Sequence, residues 1–156
     1  MRVAVCADHA AVFMRRRVVD HLRERGYEVV DLGIDDPDSA DDYPDRAADC
    51  GHAVADGRAE LGVLLCGSGA GAAIAANKLR GVRAAVCHDS FSARQSREDD
   101  DANVICLGER VIGVGLALEL IDRFLTSEFS GAERHQRRLE KVLALEAAFA
   151  GSPEGD

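Results

Sequence analysis

Five short apolar runs, each followed by a stretch of helical character, leave this chain few folds to choose from. The runs are Arg2–Ala7, Tyr27–Leu32, Leu61–Cys66, Val82–Cys87 and Asn103–Leu107. Four of the five are rich in Val, Ile or Leu, and Leu61–Cys66 (LGVLLC) shows no polar alternation at all. A strand without a polar side is buried on both faces, as in a parallel sheet covered by helices. Apolar residues at Val12, Phe13, Val18, Val19 and Leu22 predict a helix over Ala10–Arg25, with Gly26 as its stop. Further helices are expected over Tyr43–Ala55 (Pro44 in its first turn), Ala72–Leu79, Phe91–Glu98, Ile112–Phe124 and Arg134–Phe149. The alternation predicts an α/β fold, a doubly wound five-stranded parallel sheet in a three-layer α/β/α sandwich. With 156 residues, no internal repeat and no linker, the chain reads as one domain over 1–150 and a disordered tail over 151–156.

Charge and cysteine usage narrow the function classes. A formal net charge of -9 argues against nucleic acid as the main partner, because phosphate backbones demand a basic face. No apolar run approaches the ~20 residues of a membrane span. Met1–Ala7 reads as a strand and not as a leader, so a cytoplasmic address is expected. The cysteines are Cys6, Cys50, Cys66, Cys87 and Cys106; none pair at CxxC spacing, which excludes the usual zinc knuckle and thioredoxin-type motif. Most read as small buried hydrophobes in a reducing compartment.

In sheets of this kind ligands bind beyond the carboxyl ends of the strands. Asp8, His9, Cys66, the glycine loop Gly67–Gly71 (GSGAG), His88 and Asp89 are all expected there. Glycines let backbone N–H groups approach a ligand, and a following helix adds partial positive charge, so the loop can hold an anion. Gly67-Ser68-Gly69-Ala70-Gly71-Ala72 also fits the dinucleotide fingerprint GxGxxG/A, but it follows the third strand and not the first. A tight turn packing helix on sheet explains one or two of these glycines, not three alternating beside a cysteine. A thiol at a helix N-terminus has its thiolate form favoured, so Cys66 is a candidate nucleophile or general base, with a buried structural cysteine as the plain alternative.

Cys66-Gly67-Ser68-Gly69-Ala70-Gly71 followed by Ile74-Ala75-Ala76-Asn77-Lys78 resembles the signature of the type B ribose-5-phosphate isomerases, the family that includes the galactose-6-phosphate isomerase subunits. Ala7-Asp8-His9-Ala10, Asp42-Tyr43-Pro44, Gly108–Gly113 and Arg134–Arg138 resemble its other motifs, so the likeness runs from Arg2 to about Glu146. The resemblance implies interconversion of aldose and ketose phosphates through a cis-enediol(ate), with no metal and no cofactor. It makes Cys66 the general base; the glutamate that some members use instead is Ala72 here. It gives Ser68 and the N–H groups of Gly67, Gly69 and Gly71 the charge developing on the sugar oxygen, which is oxyanion-hole logic. Asp8 would hydrogen-bond sugar hydroxyls and shuttle a proton. His9, Arg110, Arg134 and Arg138 would hold the phosphate. Arg134 and Arg138, four apart, share a helix face, and guanidinium forks suit phosphate oxygens. Arg137 reads as part of a solvated face, Arg15-Arg16-Arg17 as the wet side of the first helix, and His21, His52 and His135 as surface or structural residues.

The chain departs from the family at one place. The family's His-Asn pair, whose histidine opens the furanose ring, is replaced by Asp99 and Asp100. A carboxylate with a pKa near 4 is a poor acid at neutral pH. Three explanations stand: a substrate that forms no ring, such as a tetrose 4-phosphate; ring opening by Asp99 or His88; or phosphosugar binding without turnover. Relatives acting on erythrulose 4-phosphate also lack the histidine and carry a His-Asp like His88-Asp89, whereas Asp8-His9 resembles the pentose enzymes. The resemblance further implies a homodimer or tetramer with a shared active site. The apolar segment Ile112–Phe124 suits either an interface or a core.

Overall fold

A computed structural model of the chain describes residues 1–150; the predicted tail at 151–156 lies outside the described residues. The chain runs β1 (Arg2–Ala7), a 3-10 turn (His9–Ala11), α1 (Val12–Glu24), β2 (Glu28–Asp31), α2 (Tyr43–Ala55), β3 (Leu61–Cys66), α3 (Ala70–Ala76), β4 (Ala84–Val86), α4 (Ser90–Asp100), β5 (Val104–Gly108), α5 (Val114–Thr126) and α6 (Glu133–Ala150). All strand pairs are parallel, in the order β2-β1-β3-β5-β4. No helix among the described residues is long and apolar enough to cross a membrane.

The two-residue period of the strands divides the core into two layers. Val3, Val5, Val63, Leu65, Ile105 and Leu107 face α1, α5 and Ala93 of α4. Ala4, Cys6, Leu64, Cys66, Val104 and Cys106 face α2 and α3. The second layer is built from small residues, with Ala47, Ala53, Ala72, Ala73 and Ala76 all buried, so its helices sit close to the sheet. In α5, Ala117, Leu120, Ile121 and Phe124 are fully buried, which makes that helix a core element.

Two differences from the sequence reading have local causes. β4 covers only Ala84–Val86 because a side chain replaces the start of its ladder: Asn103 Oδ1 accepts from Arg83 N at 2.7 Å and Asn103 Nδ2 donates to Gly81 O at 2.8 Å. On the outer side of β4, Asn77 bonds both the N–H and the carbonyl of Ala84 (2.8 and 2.9 Å), acting as one residue of a missing strand and blunting the edge. Arg15 is not on the wet face of α1. It is 3% exposed and its guanidinium bonds Asp31 at the end of β2 and Asp35 in the following loop. A buried cation persists only with such partners. Arg15 thereby ties the aspartate-rich loop, residues 33–42, to the helix, while Arg16 and Arg17 remain exposed.

Candidate active site

β3 is the middle strand, and its register with β1 and β5 brings Ala7, Leu65 and Cys66 to one edge with Gly108. Asp8 follows β1 there, and the glycine loop leaves β3 there. Cys66 is buried, and Gly69 N–H donates to its Sγ at 3.0 Å. Gly69 has φ +82°, a left-handed conformation that side chains avoid, and this turns the chain into α3 with the N–H aimed back at the sulfur. α3 starts at Ala70, two residues before the predicted start, so Gly71 sits in its first turn, where the ring of Tyr43 fills the place of a side chain. Ser68 is exposed, and its Oγ accepts from Ala70 N at 3.3 Å. The exposed Arg110 lies over Gly67, with Nη1 3.5 Å from where a Cβ would stand. The backbone of the following segment closes this wall: Glu109 N donates to Cys66 O and Arg110 N to Gly67 O (2.9 and 3.1 Å). The Glu109 side chain accepts from Met14 N at 3.1 Å and so caps α1.

Asp8 is 6% exposed, and its Oδ1 accepts from Ala10 N at 3.0 Å, capping the 3-10 turn. Burial pushes its carboxyl above the usual range, against the opposing pull of that hydrogen bond and of the charges on His9 and Arg110. A raised value means that the ionised form is disfavoured in the folded state. That penalty is absent below the unfolded pKa near 4 and complete once the pH exceeds the folded value. Asp8→Asn keeps the capping oxygen and removes the charge. It should raise Tm near neutral pH. The gain should shrink as the pH falls below about 4; thermal melts at both pH values check the sign.

The other cysteines line the core and are free and buried. Burial holds the thiols of Cys106 and Cys87 up, and Cys6 is raised first by its hydrogen bond with Cys50 and then by burial. His88 also lies at the carboxyl edge, but its Nε2 accepts from Gly108 N at 3.0 Å. Asp89 caps α4 through Ser92 N at 2.8 Å, a bond that holds its carboxyl below the usual range.

The remaining predicted site residues are elsewhere. α4 runs back from the end of β4 and delivers Asp99 and Asp100 to the amino-terminal edge of the sheet, beside the start of β5. β5 alone spans roughly 13 Å at ~3.3 Å per residue, so these carboxylates do not share a pocket with Cys66 within one chain. Asp99 accepts from Gln95 Nε2 at 3.1 Å and lies 3.4 Å from His135 Nδ1. His135 is buried, bonded to Ser130 Oγ at 2.7 Å and to Arg134 Nε at 2.8 Å, which makes it structural. Arg134 and Arg138 are exposed on α6 near the same edge. One neighbour of His9 escaped sequence reasoning. Asp41 Oδ1 lies 3.1 Å from His9 Nδ1 and also accepts His9 N–H at 3.2 Å. Its only signal was its place in an aspartate-rich stretch with the composition of a turn.

A parallel α/β sandwich that gathers a cysteine, an aspartate and a glycine loop under an exposed arginine offers the chemistry to hold a small anionic metabolite. The comparisons with known proteins are specific. The family model "Ribose/Galactose Isomerase" matches residues 3–142. Ribose-5-phosphate isomerase B of Escherichia coli is 41% identical over 145 residues, covering 93% of this chain and 96% of that protein. D-erythrulose-4-phosphate isomerase of Pectobacterium atrosepticum is 44% identical over 131 residues, 84% of this chain and 86% of its own. The solved structure of Clostridium thermocellum ribose-5-phosphate isomerase B superposes with a TM-score of 0.92 at 44% identity, covering 96% of this chain and 99% of that one. The chain belongs to the ribose/galactose isomerase family.

Proposed function

We propose that this protein is an aldose–ketose isomerase of a small sugar phosphate, with ribose 5-phosphate and ribulose 5-phosphate as its pair. The observation that carries this is the Cys66 sulfur, held by the Gly69 N–H at 3.0 Å beneath a loop lined by Arg110. Cys66 takes the proton from C2 of the open aldose, the C1–C2 double bond forms, and the electron pair of the carbonyl moves onto O1. Ser68 and the loop N–H groups of Gly67 and Gly71 face that charge, while the Gly69 N–H stays on the Cys66 sulfur. Asp8 gives O1 a proton and takes the one on O2, a task suited to a carboxyl pushed up by burial. Cys66 then returns its proton to C1, leaving a ketone at C2.

The distribution of site residues supports a homodimer. Cys66, Ser68, Asp8, His9 and Arg110 are at the carboxyl edge of the sheet, and Asp99, Asp100, Arg134 and Arg138 are at the other. A two-fold axis sets the second group of one copy against the first group of another, so Arg134 and Arg138 reach the phosphate from a second copy. A cytoplasmic setting suits five free thiols.

Asp99 in place of a histidine, with the 44% identity to an erythrulose-phosphate enzyme, favours a tetrose 4-phosphate as the second reading. Purified protein incubated separately with ribose 5-phosphate and erythrose 4-phosphate decides between them. Ketose formation from the pentose is the expected result. Turnover of the tetrose alone selects the second reading, and turnover of neither overturns both in favour of a binding role.

A further inference from the structure

Arg134 and Arg138 are both exposed on α6, yet Arg134 is held in one direction by its neighbour. Its Nε–H donates to His135 Nε2 at 2.8 Å. Among the described residues no hydrogen bond engages its two Nη groups, so that fork is left to meet an anion. His135 is buried, and to accept from Arg134 its Nε2 must carry a lone pair. The ring proton therefore sits on Nδ1. Two groups face Nδ1: Ser130 Oγ at 2.7 Å and Asp99 Oδ1 at 3.4 Å. They are not equivalent. A hydroxyl turns to donate or to accept and tolerates either tautomer, whereas a carboxylate only accepts and favours the proton on Nδ1. Asp99 is itself fixed from α4, where its Oδ2 accepts from Gln95 Nε2 at 3.1 Å. Ser130 N–H donates to Glu98 O at 2.9 Å, which ties the approach to α6 to the end of the same helix.

We propose that Asp99 is a positioning residue for the phosphate: through the tautomer of His135 it aims the guanidinium fork of Arg134, and it does not act on the sugar. The proposal rests on the isomerase reading, in which Arg134 reaches the phosphate of a second copy. A carboxylate that merely lay near this edge would repel an anionic phosphate, so the direction of its effect on affinity separates the two roles.

The test is calorimetric titration of full-chain variants with ribose 5-phosphate and with erythrose 4-phosphate, alongside kcat and KM for the sugar that turns over. Asp99→Asn keeps the size of the side chain but gives it a donor as well as an acceptor, so it no longer selects the tautomer. It should weaken each ligand that wild type binds by about fivefold, the scale of ordering one long side chain on binding. KM should rise by a similar factor, with kcat changed by less than about twofold. Asp99→Glu should recover most of the loss. In an Arg134→Gln background, Asp99→Asn should weaken binding no further. Unchanged or tighter binding by Asp99→Asn overturns the proposal and leaves a carboxylate that only repels the phosphate. A fall in kcat with affinity kept overturns it in favour of ring opening by Asp99. An equal loss of affinity in the Arg134→Gln background also overturns it, because the effect then does not pass through Arg134. Failure of the isomerase reading is seen separately, as wild-type protein that binds a sugar phosphate and forms no ketose phosphate; the affinities still decide the role of Asp99. Wild-type protein that binds neither ligand overturns both.

Discussion

Replacing Cys66 with alanine is expected to lower kcat on the sugar phosphate by about 10²–10⁴-fold, the range a positioned general base contributes. The fold should survive. The lost sulfur leaves one N–H without its acceptor and a small gap against α3, a penalty of about 1 kcal/mol. Cys66→Ser separates the two effects: its oxygen can still accept from Gly69 N–H, but an alcohol ionises far less readily than a thiol, so the variant should match wild type in Tm and remain inactive. Ketose formation and thermal melts on both variants check this. Wild-type turnover by Cys66→Ala would remove the thiol from the reaction and with it the assignment of the base.

Gly108→Ala should be almost as damaging, for a steric reason. A Cβ there would stand 2.6 Å from the carbonyl carbon of Ser68 and 2.7 Å from its Cα. These are backbone atoms, so no side-chain rotation relieves the collision. The loop must move relative to β5, yet Gly108 is fixed by pairing with Cys66 and by the bond from its N–H to His88. A displacement near 1 Å at a reacting site costs about 100-fold in rate. Overpacking of this kind also lowers stability by about 1–3 kcal/mol. The expected result is a kcat/KM reduced about 100-fold with a lower Tm, read from initial rates and a melt. Near-normal rates would mean that the position of Ser68 does not matter to the reaction.

Much of this architecture was legible before any coordinates. Leu61–Cys66 could be read as a strand buried on both faces because an unbroken apolar run has no side to give to water. The cysteine and glycine loop at its end followed from their order along the chain. What the sequence hid was whatever depends on direction in space. Asp99 is only a few residues before β5 in sequence, but α4 runs antiparallel to the strands and carries it to the far edge. Arg15 sits among three consecutive arginines, and only the position of Asp31 and Asp35 reveals that it is buried. The short β4 is hidden for a related reason. Asn77 and Asn103 read as loop residues, yet their amides stand in for strand partners on its two sides. Asp41 lies 32 positions from His9, and the four other aspartates of loop 33–42 disguise it.

The order β2-β1-β3-β5-β4 also divides the molecule by how readily its parts open. β3 has a paired strand on each side and a further strand beyond each of those, so its amides are expected to exchange with solvent only when the whole domain unfolds. The segments that carry Asp99, Arg134 and Arg138 hang from the short edge strand and from a largely exposed helix, where local opening is enough. β3, which ends at Cys66, is thus the strand expected to open last, and the segments of Asp99, Arg134 and Arg138 are expected to open before it. A partner that engaged those segments would leave the strand beneath the thiol undisturbed.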